Sequence, residues 1–176
     1  MSELSLAQRC AAIELLVMDV DGVLTDGRIV YSDRGEELKA FHVRDGSGIK
    51  LWLKQGKRAA LLSGRKSPIV ERRAAELGIG AVVQGADDKL PAFEALLRNQ
   101  GVTAAQTAYV GDDLPDVPAL RRSGLAVAVA DACAEARAAA HYVTQQPGGC
   151  GAVRELIELV LRHQGRWLEI IAELRR

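Results

Sequence analysis

Short, continuously apolar runs alternate with longer segments of mixed polarity along this chain. The runs are residues 15–18, 58–62 (apolar after Arg58), 81–83, 107–110 (apolar after Thr107), 125–129 and 142–143. Unbroken apolar residues of this length are typical of strands that are buried on both faces of a sheet. Helices are predicted between them, at 47–55, 68–77, 89–99, 115–122 and 132–139. This order predicts an α/β fold with a doubly wound parallel sheet.

The segment after the first strand departs from this alternation. Residues 28–31 and 36–42 are strand-like and flank a turn, which predicts a β-hairpin flap over about residues 27–43. A two-stranded ribbon is too thin to be stable alone, so its apolar side chains must pack on another subunit or over the functional site. These side chains are Ile29, Tyr31, Leu38 and Phe41.

The C-terminal tail, about residues 147–176, also has its own character. A glycine-rich break at 148–151 precedes a predicted helix over 152–163. The apolar stripe of that helix is expected to pack on the core, with a contact between subunits as the second reading. Farther on, a helical spacing of apolar residues suggests another helical piece, formed by Trp167, Ile170, Ile171 and Leu174.

Length and composition limit the classes of protein. The chain has 176 residues, of which 48% are apolar, and this fits a single domain over residues 1–176. Lys plus Arg and Asp plus Glu both total 23, without a basic run, so we expect no nucleic-acid partner. Charged residues interrupt every apolar stretch, so we expect no membrane span, and residues 1–14 lack the pattern of a signal peptide. Three scattered cysteines without a C-x-x-C pair argue against disulfides and structural zinc, and we expect a reduced, cytoplasmic protein.

Polar side chains that could carry chemistry all follow the carboxyl ends of predicted strands or begin the helix before one. They are, in chain order, Asp19 and Asp21, Ser63 and Arg65, Lys89, and Asp112 and Asp113. Parallel strands place their carboxyl ends at one edge of the sheet, where ligands bind. We therefore expect these side chains to converge on one crevice.

Each of these residue types fits a part of phosphoryl transfer. A carboxylate attacks phosphorus, a divalent cation offsets the repulsion between two anions, and a hydroxyl and an ammonium hold the phosphoryl oxygens. Asp19 and Asp112 would hold magnesium, and Asp21 would protonate the leaving alcohol and then activate water.

Taken singly, each of these residues has a plainer reading. The Asp19 and Asp21 pair could be an acidic turn, Ser63 a helix cap and Lys89 a solvated charge. Asp112, Asp113 and Asp116 could be turn and cap acids. Their coincidence at one sheet edge favours a catalytic site.

The motifs in this chain resemble those of the haloacid dehalogenase superfamily of phosphatases. The four matching segments are 19–25, 63–65, Lys89 and 111–116. More narrowly, segments 35–46 and 148–155 resemble the 3-deoxy-D-manno-octulosonate 8-phosphate phosphatase family. The resemblance covers about residues 12–165, and the hairpin and tail segments make it specific because the superfamily at large does not share them.

This resemblance implies a Rossmann-like domain without a cap, assembled as a homotetramer in which the hairpin contacts neighbours and active sites are shared. It implies magnesium-dependent hydrolysis of 3-deoxy-D-manno-octulosonate 8-phosphate, a step of lipopolysaccharide precursor synthesis, through an aspartyl-phosphate on Asp19. Asp21 would be the acid and base, and its backbone carbonyl would join Asp19 and Asp112 around the metal. Ser63 and Lys89 would hold the phosphoryl group, with Asp113 and Asp116 as supporting acids. The implied sugar-acid site comprises Asp21, Lys89, His42, Val43, Arg44, Asp45, Gly46, Lys50, Arg65 and Arg73. Its basic members suit a substrate that bears both phosphate and carboxylate.

Four positions depart from the family pattern. His42 stands where Asn is usual, Lys50 where Arg is common, and Ser63 where Thr is common. Cys150 replaces an Arg in the tail. Ser63 keeps the hydroxyl, whereas the other three bear on sugar recognition. A phosphatase for a sialic-acid-type, nine-carbon sugar acid 9-phosphate therefore stays an alternative.

A receiver domain of a signalling pathway is the alternative from another class. Receivers also place an acidic pair, a phosphoaccepting Asp, a hydroxyl and a Lys on a parallel sheet. In a receiver the acidic pair comes first and the lysine last, whereas here Lys89 precedes Asp112 and Asp113. A long-lived phospho-switch would also not need the acid and base that Asp21 supplies. A third reading is a domain that has lost its activity, but no chemical residue is missing.

Overall fold

The computed structural model describes residues 4–173 and contains a parallel sheet between two layers of helices. The strands are β1 Leu15–Met18, β2 Val30–Tyr31, β3 Glu37–Leu38, β4 Arg58–Ser63, β5 Ala81–Gln84, β6 Thr107–Gly111, β7 Leu125–Ala128 and β8 Tyr142–Val143. The helices are α1 Leu6–Ala11, α2 Val43–Lys54, α3 Pro68–Leu77, α4 Lys89–Gln100, α5 Val117–Arg122, α6 Ala134–Ala139, α7 Ala152–His163 and α8 Trp167–Glu173. Short 3₁₀ turns at Ala104–Gln106 and Leu114–Asp116 complete the order.

The main sheet has the order β5-β4-β1-β6-β7-β8, and all of its strand pairs are parallel. From β1 the chain builds outward through β4 and β5, then crosses back to β6 and builds outward on the other side. The order therefore reverses between β1 and β6, and a crevice opens at the carboxyl ends of these two strands. The predicted doubly wound α/β fold is confirmed.

The core forms because the strands are apolar on both faces. All four residues of β1 are buried, and so is the apolar stripe of α7 that was expected to pack on the core. Helices α1, α2, α3 and α7 contact one another in one layer, and α4, α5 and α6 form a second. This double cover explains why the strand sequences are continuous apolar runs rather than alternating ones.

The predicted hairpin is a separate two-stranded antiparallel sheet of β2 and β3. Four of its apolar side chains are at least 45% exposed within the protomer, namely Ile29, Val30, Tyr31 and Leu38. Part of the apolar surface of the hairpin is therefore not buried by the described residues. Within residues 4–173 the hairpin is the sole insertion between β1 and α2, and no separate cap domain is present.

Several helices differ from the sequence prediction, and α5 and α6 begin at Val117 and Ala134 instead of residues 115 and 132. Helix α1 was not predicted, although Ser5 and Gln8 form a capping box at its start. Helix α2 begins at Val43 instead of residue 47, because Gly46 and Gly48 weaken the helical signal. A Cβ on Gly48 would lie 2.9 Å from Arg154 Cδ, so close packing against α7 accounts for that glycine. The predicted C-terminal piece is α8, and Leu174 lies outside the described residues.

No helix within residues 4–173 is both long enough and apolar enough to cross a bilayer.

Candidate active site

The predicted strand-end residues do meet, in one cavity of about 490 Å³ at the carboxyl edge of the sheet. The cavity is lined by Asp19, Asp21, Gly27, Ser63, Gly64, Arg65, Ala86, Asp87, Lys89, Asp112, Asp113, Pro115 and Asp116. Asp19 follows β1, and its backbone N–H donates to Val110 O at 3.0 Å, which extends the pairing of β1 with β6. The reversal of strand order thus places the first and last acidic motifs side by side.

Asp19 is one of the residues that line this cavity. It is buried, and its Oδ2 is 2.8 Å from the Lys89 ammonium. Burial raises the pKa of Asp19 to about 7, and the nearby Asp116 adds to the increase, while Lys89 opposes it. The carboxylate is therefore weakly solvated and held by a single cation, as expected of a nucleophile that must attack an anionic group.

Asp116 organises the loop that carries Asp112 and Asp113. Its Oδ1 accepts hydrogen bonds from Lys89 Nζ at 2.6 Å and from the Tyr109 hydroxyl at 2.7 Å. Its Oδ2 accepts from the backbone N–H groups of Asp112 at 3.0 Å and Asp113 at 3.2 Å. Both oxygens are thus occupied and the residue is fully buried. Asp116 therefore orients Lys89 and the loop, and its hydrogen bonds occupy both of its oxygens.

Tyr109 was not predicted as a site residue, but its hydroxyl is one of the hydrogen-bond donors to Asp116. Its position inside an apolar strand gives no signal of a polar role. The side chain is fully buried, and burial together with the adjacent Asp116 raises the pKa of its hydroxyl well above the usual value. Tyr109 therefore stays neutral and serves as a fixed hydrogen-bond donor.

The three carboxylates form a group with the chemistry of a divalent-cation site. One ligand atom from each of Asp19, Asp112 and Asp116 lies within 4.8 Å of the others. Asp112 Oδ1 is buried without a hydrogen-bond partner. Burial raises the pKa of Asp112 to about 8, and repulsion from Asp19 and Asp116 adds to it. Because Asp116 is saturated, Asp19 and Asp112 are the oxygen donors that fit Mg²⁺.

Two glycines allow the loop that begins with Asp19 to lie close to its neighbours. A Cβ on Gly22, which has φ +94°, would overlap the Asp112 carboxylate. A Cβ on Gly148 would overlap the Gly22 carbonyl from the other side. The next residue, Gly149, donates its N–H to Val23 O at 2.9 Å. The tail at Gly148 and Gly149 therefore packs against the loop that begins with Asp19 and holds it in place.

Asp21 contacts the hairpin. Its Oδ1 forms an ion pair with Lys39 Nζ, and its Oδ2 is 3.8 Å from Arg65 Nε. Neither Lys39 nor its neighbour Glu37 was predicted as a site residue. The signal in the sequence was the alternation of Glu37, Leu38 and Lys39, which puts the two charged side chains on one face of the ribbon.

Ser63 is buried at the end of β4, and its Oγ accepts a hydrogen bond from Arg65 N at 3.3 Å. It lines the same cavity as Lys89, so a hydroxyl and an ammonium are available there for phosphoryl oxygens.

The predicted sugar-acid residues of the hairpin end and α2 do not join this cavity. Arg44 lines a second cavity of about 310 Å³ with Cys150 and Arg154. Val43 and Arg73 line a third one, beside the Phe41 ring. The side chain of Lys50 is exposed.

Asp45 makes hydrogen bonds within the protomer, whereas the neighbouring His42 Nδ1 is buried without a hydrogen-bond partner. The buried Asp45 carboxylate accepts hydrogen bonds from the backbone N–H groups of Gly151 at 3.1 Å and Arg154 at 2.8 Å, at the start of α7. His42 Nδ1 is 3.9 Å from Asp45 Oδ2, and Gly46 is buried. Asp45 and Gly46 are therefore buried within the described protomer, and their contact with substrate stays a prediction. The family resemblance points to Asp45 as a site residue, but it does not reveal that Asp45 caps the start of α7. That contact joins residues more than a hundred positions apart along the chain.

The chain is similar to known proteins over most of its length. Residues 61–156 match the family of haloacid dehalogenase-like hydrolases. The chain is 48% identical over 159 residues to the 3-deoxy-D-manno-octulosonate 8-phosphate phosphatase of Yersinia pestis, a match that covers 90% of this chain and 85% of that protein. It is 50% identical over 154 residues to the phosphatase of the same name from Escherichia coli K12, covering 88% and 82%. A crystal structure of the Moraxella catarrhalis phosphatase in complex with magnesium ion, phosphate ion and KDO matches with a TM-score of 0.93 and 44% identity, covering 96% of this chain and 97% of that one.

Proposed function

The chain belongs to the 3-deoxy-D-manno-octulosonate 8-phosphate phosphatase family of the haloacid dehalogenase-like hydrolases, and we propose that it hydrolyses this phosphate ester in a magnesium-dependent reaction. The observation that carries the proposal is the convergence of Asp19, Asp21, Ser63, Lys89 and Asp112 on one cavity. A nucleophile, a proton carrier, two phosphoryl-binding groups and a metal-binding pair are the parts that phosphoryl transfer by an aspartate requires.

The first half of the reaction transfers the phosphoryl group to the protein. Asp19 attacks phosphorus with the oxygen that does not face Lys89, and the ester oxygen leaves as an alcohol with a proton from Asp21. Lys89 and Ser63 hold the phosphoryl oxygens, and Asp116 fixes the position of Lys89. When bound by Asp19, Asp112 and the backbone carbonyl of Asp21, Mg²⁺ would offset the repulsion between the carboxylates and the phosphate.

The second half hydrolyses the aspartyl-phosphate. Asp21, now ionised, takes a proton from water as the water attacks phosphorus, and Asp19 is released. One carboxylate can serve both steps because the leaving alcohol and the attacking water occupy the same side of phosphorus in turn.

The sugar acid is held in part by a neighbouring subunit in this proposal. The cationic residues Arg44, Lys50 and Arg73 are separated from the phosphoryl site within one protomer, so one protomer alone leaves the substrate carboxylate without them. The exposed apolar face of the hairpin supports assembly into a tetramer. We place the protein in the cytoplasm, because a substrate with phosphate and carboxylate charges does not cross a bilayer.

A phosphate-release assay across phosphorylated sugar acids tests this function. The eight-carbon 8-phosphate should be turned over in preference to a nine-carbon sugar acid 9-phosphate and to sugar phosphates without a carboxylate. Equal turnover of esters without a carboxylate would refute the substrate class, and preference for the nine-carbon acid would reassign it.

Asp19→Asn tests the nucleophile. The amide has nearly the same size and can still contact Lys89, so the variant should keep its fold and oligomeric state while magnesium-dependent phosphate release is abolished. Substantial turnover by the folded variant would remove Asp19 from this role. Asp33→Asn, at an exposed turn of the hairpin, is a matched control that should keep full activity.

A further inference from the structure

The hairpin presents two different faces. Val30 and Leu38 are paired across the ribbon and are both exposed. Tyr31 and Glu37 form the other pair, and Lys39, two residues beyond Glu37, projects to the same side. This second side meets the catalytic loop through the ion pair of Lys39 with Asp21.

Lys39 is held from several directions. Its side chain is only 2% exposed. Lysines are almost never buried to this extent unless they are paired with an opposite charge. Besides Asp21, its ammonium lies 3.6 Å from Glu37 Oε1. Glu37 is itself anchored by Arg65 Nη2 at 2.9 Å and by the Ser67 hydroxyl at 2.9 Å. The ammonium is thus fixed to the scaffold by the carboxylate of Glu37, which does not line the cavity of Asp19 and Asp21.

The two oxygens of Asp21 have different surroundings. Oδ1 is taken by Lys39, whereas Oδ2 is buried and has no hydrogen-bond partner. Arg65 Nε, at 3.8 Å from Oδ2, is too distant for a hydrogen bond. A carboxylate held at one oxygen cannot rotate freely, so the other oxygen keeps a defined direction.

We propose that Lys39 is a positioning residue, which fixes Asp21 so that Oδ2 carries the proton in both halves of the reaction. The inference rests on the proposed phosphatase function and deepens it. In the first half, the bond from Asp19 to phosphorus forms, the bond from phosphorus to the ester oxygen breaks, and the proton on Asp21 Oδ2 moves to that oxygen. In the second half, a water proton moves to Oδ2 as the water oxygen bonds to phosphorus and the bond to Asp19 breaks. Lys39 remains protonated throughout and exchanges no proton.

The dependence of rate on the leaving group tests this role. A sugar alkoxide is a poor leaving group that needs a proton, whereas nitrophenolate leaves without one. The parameter to compare is kcat/KM, because it covers the steps up to departure of the leaving group and excludes the shared hydrolysis of the phosphoenzyme. Lys39→Met should lower kcat/KM for 3-deoxy-D-manno-octulosonate 8-phosphate by about 10²-fold and that for 4-nitrophenyl phosphate by less than about 5-fold.

Lys57→Met is a matched control. Lys57 is also a largely buried lysine in an ion pair, with Glu14 at 2.7 Å, but it precedes β4 and lies at the opposite edge of the sheet. It should change both kcat/KM values by the same small factor. Lys39→Gln provides a second variant should the methionine variant fail to fold, and it should show the same preference for the aryl ester with a smaller loss.

Equal losses on the two esters in a folded Lys39 variant would overturn the inference and assign Lys39 to phosphate binding or to hairpin folding. Unchanged values on both esters would overturn it as well. Failure of the wild-type protein on the sugar-acid phosphate would instead refute the proposed substrate, and the comparison would use the alkyl phosphate that it does hydrolyse. If the wild-type protein hydrolyses no phosphate ester, both the proposed phosphatase function and the proposed role of Lys39 are refuted.

Discussion

Asp112→Asn should stabilise the metal-free protein while it destroys the metal site. Carboxylate oxygens of Asp112, Asp19 and Asp116 lie within 4.8 Å of one another, and Asp112 Oδ1 is buried without a hydrogen-bond partner. Without a cation, this arrangement is a cost to folding that a neutral amide of the same shape avoids.

The magnitude follows from the pKa. Asp112 has a pKa of about 8 in the folded protein and an ordinary value of 3.8. The folded form therefore holds its proton more tightly, so metal-free stability is highest below about pH 4 and declines as the pH rises towards 8. The difference between 3.8 and about 8 corresponds to at most about 6 kcal/mol, at 1.36 kcal/mol for each tenfold change in proton affinity. Since Asp112 is only partly buried, solvent screening reduces this to about 2 kcal/mol at pH 8.

For a chain of this length, about 2 kcal/mol corresponds to an increase in Tm of about 4–8 °C. Thermal unfolding in a chelator at pH 8 and pH 5 should show the increase at pH 8 and a much smaller one at pH 5. Added Mg²⁺ should raise the Tm of the wild type and leave that of the variant unchanged, which reverses their order. Asp33→Asn, at an exposed site, should do neither.

The reasoning is refuted if Asp112→Asn without metal at pH 8 is less stable than the wild type. It is also refuted if Mg²⁺ stabilises both proteins equally, because the cation would then bind elsewhere.

Three further changes probe the supports of the site. Gly148→Ala should displace the Gly22 carbonyl and lower kcat by about 10²-fold, with a smaller effect on KM. Normal steady-state rates in this variant would show that the tail does not support the loop that begins with Asp19. Tyr109→Phe should cost about 1 kcal/mol in denaturant unfolding, because Asp116 loses one of its four hydrogen bonds, and an unchanged midpoint would contradict that contribution. Leu38→Glu should leave the fold intact but reduce the mass measured by light scattering, and an unchanged mass would argue against assembly through the hairpin.

Local sequence was sufficient for the sheet and for the convergence of Asp19, Lys89 and Asp112 on one cavity. Strands that are buried on both faces need continuous apolar residues, so runs such as Leu15–Met18 could be identified without a structure. Parallel strands end at one edge, which is why Asp19, Lys89 and Asp112 could be predicted to meet. Only the position of residues relative to strand ends was needed for this step.

Contacts across the fold could not be predicted in the same way. The approach of Lys39 to Asp21 depends on how the hairpin folds back over the sheet, and the role of Tyr109 depends on the side from which Asp116 reaches it. Neither contact follows from residue spacing along the chain.

The sequence by itself therefore determined the elements, their order and the edge at which the chemistry is placed, because these follow from periodicity and from the direction of parallel strands. Only the tertiary structure decided which oxygen of Asp21 lacks a hydrogen-bond partner, that Asp45 caps α7, and that Arg44 lines a different cavity from Asp19. The physical reason is that hydrophobic patterning acts on neighbours along the chain, whereas hydrogen bonds and ion pairs depend on distances that exist only after the layers have packed.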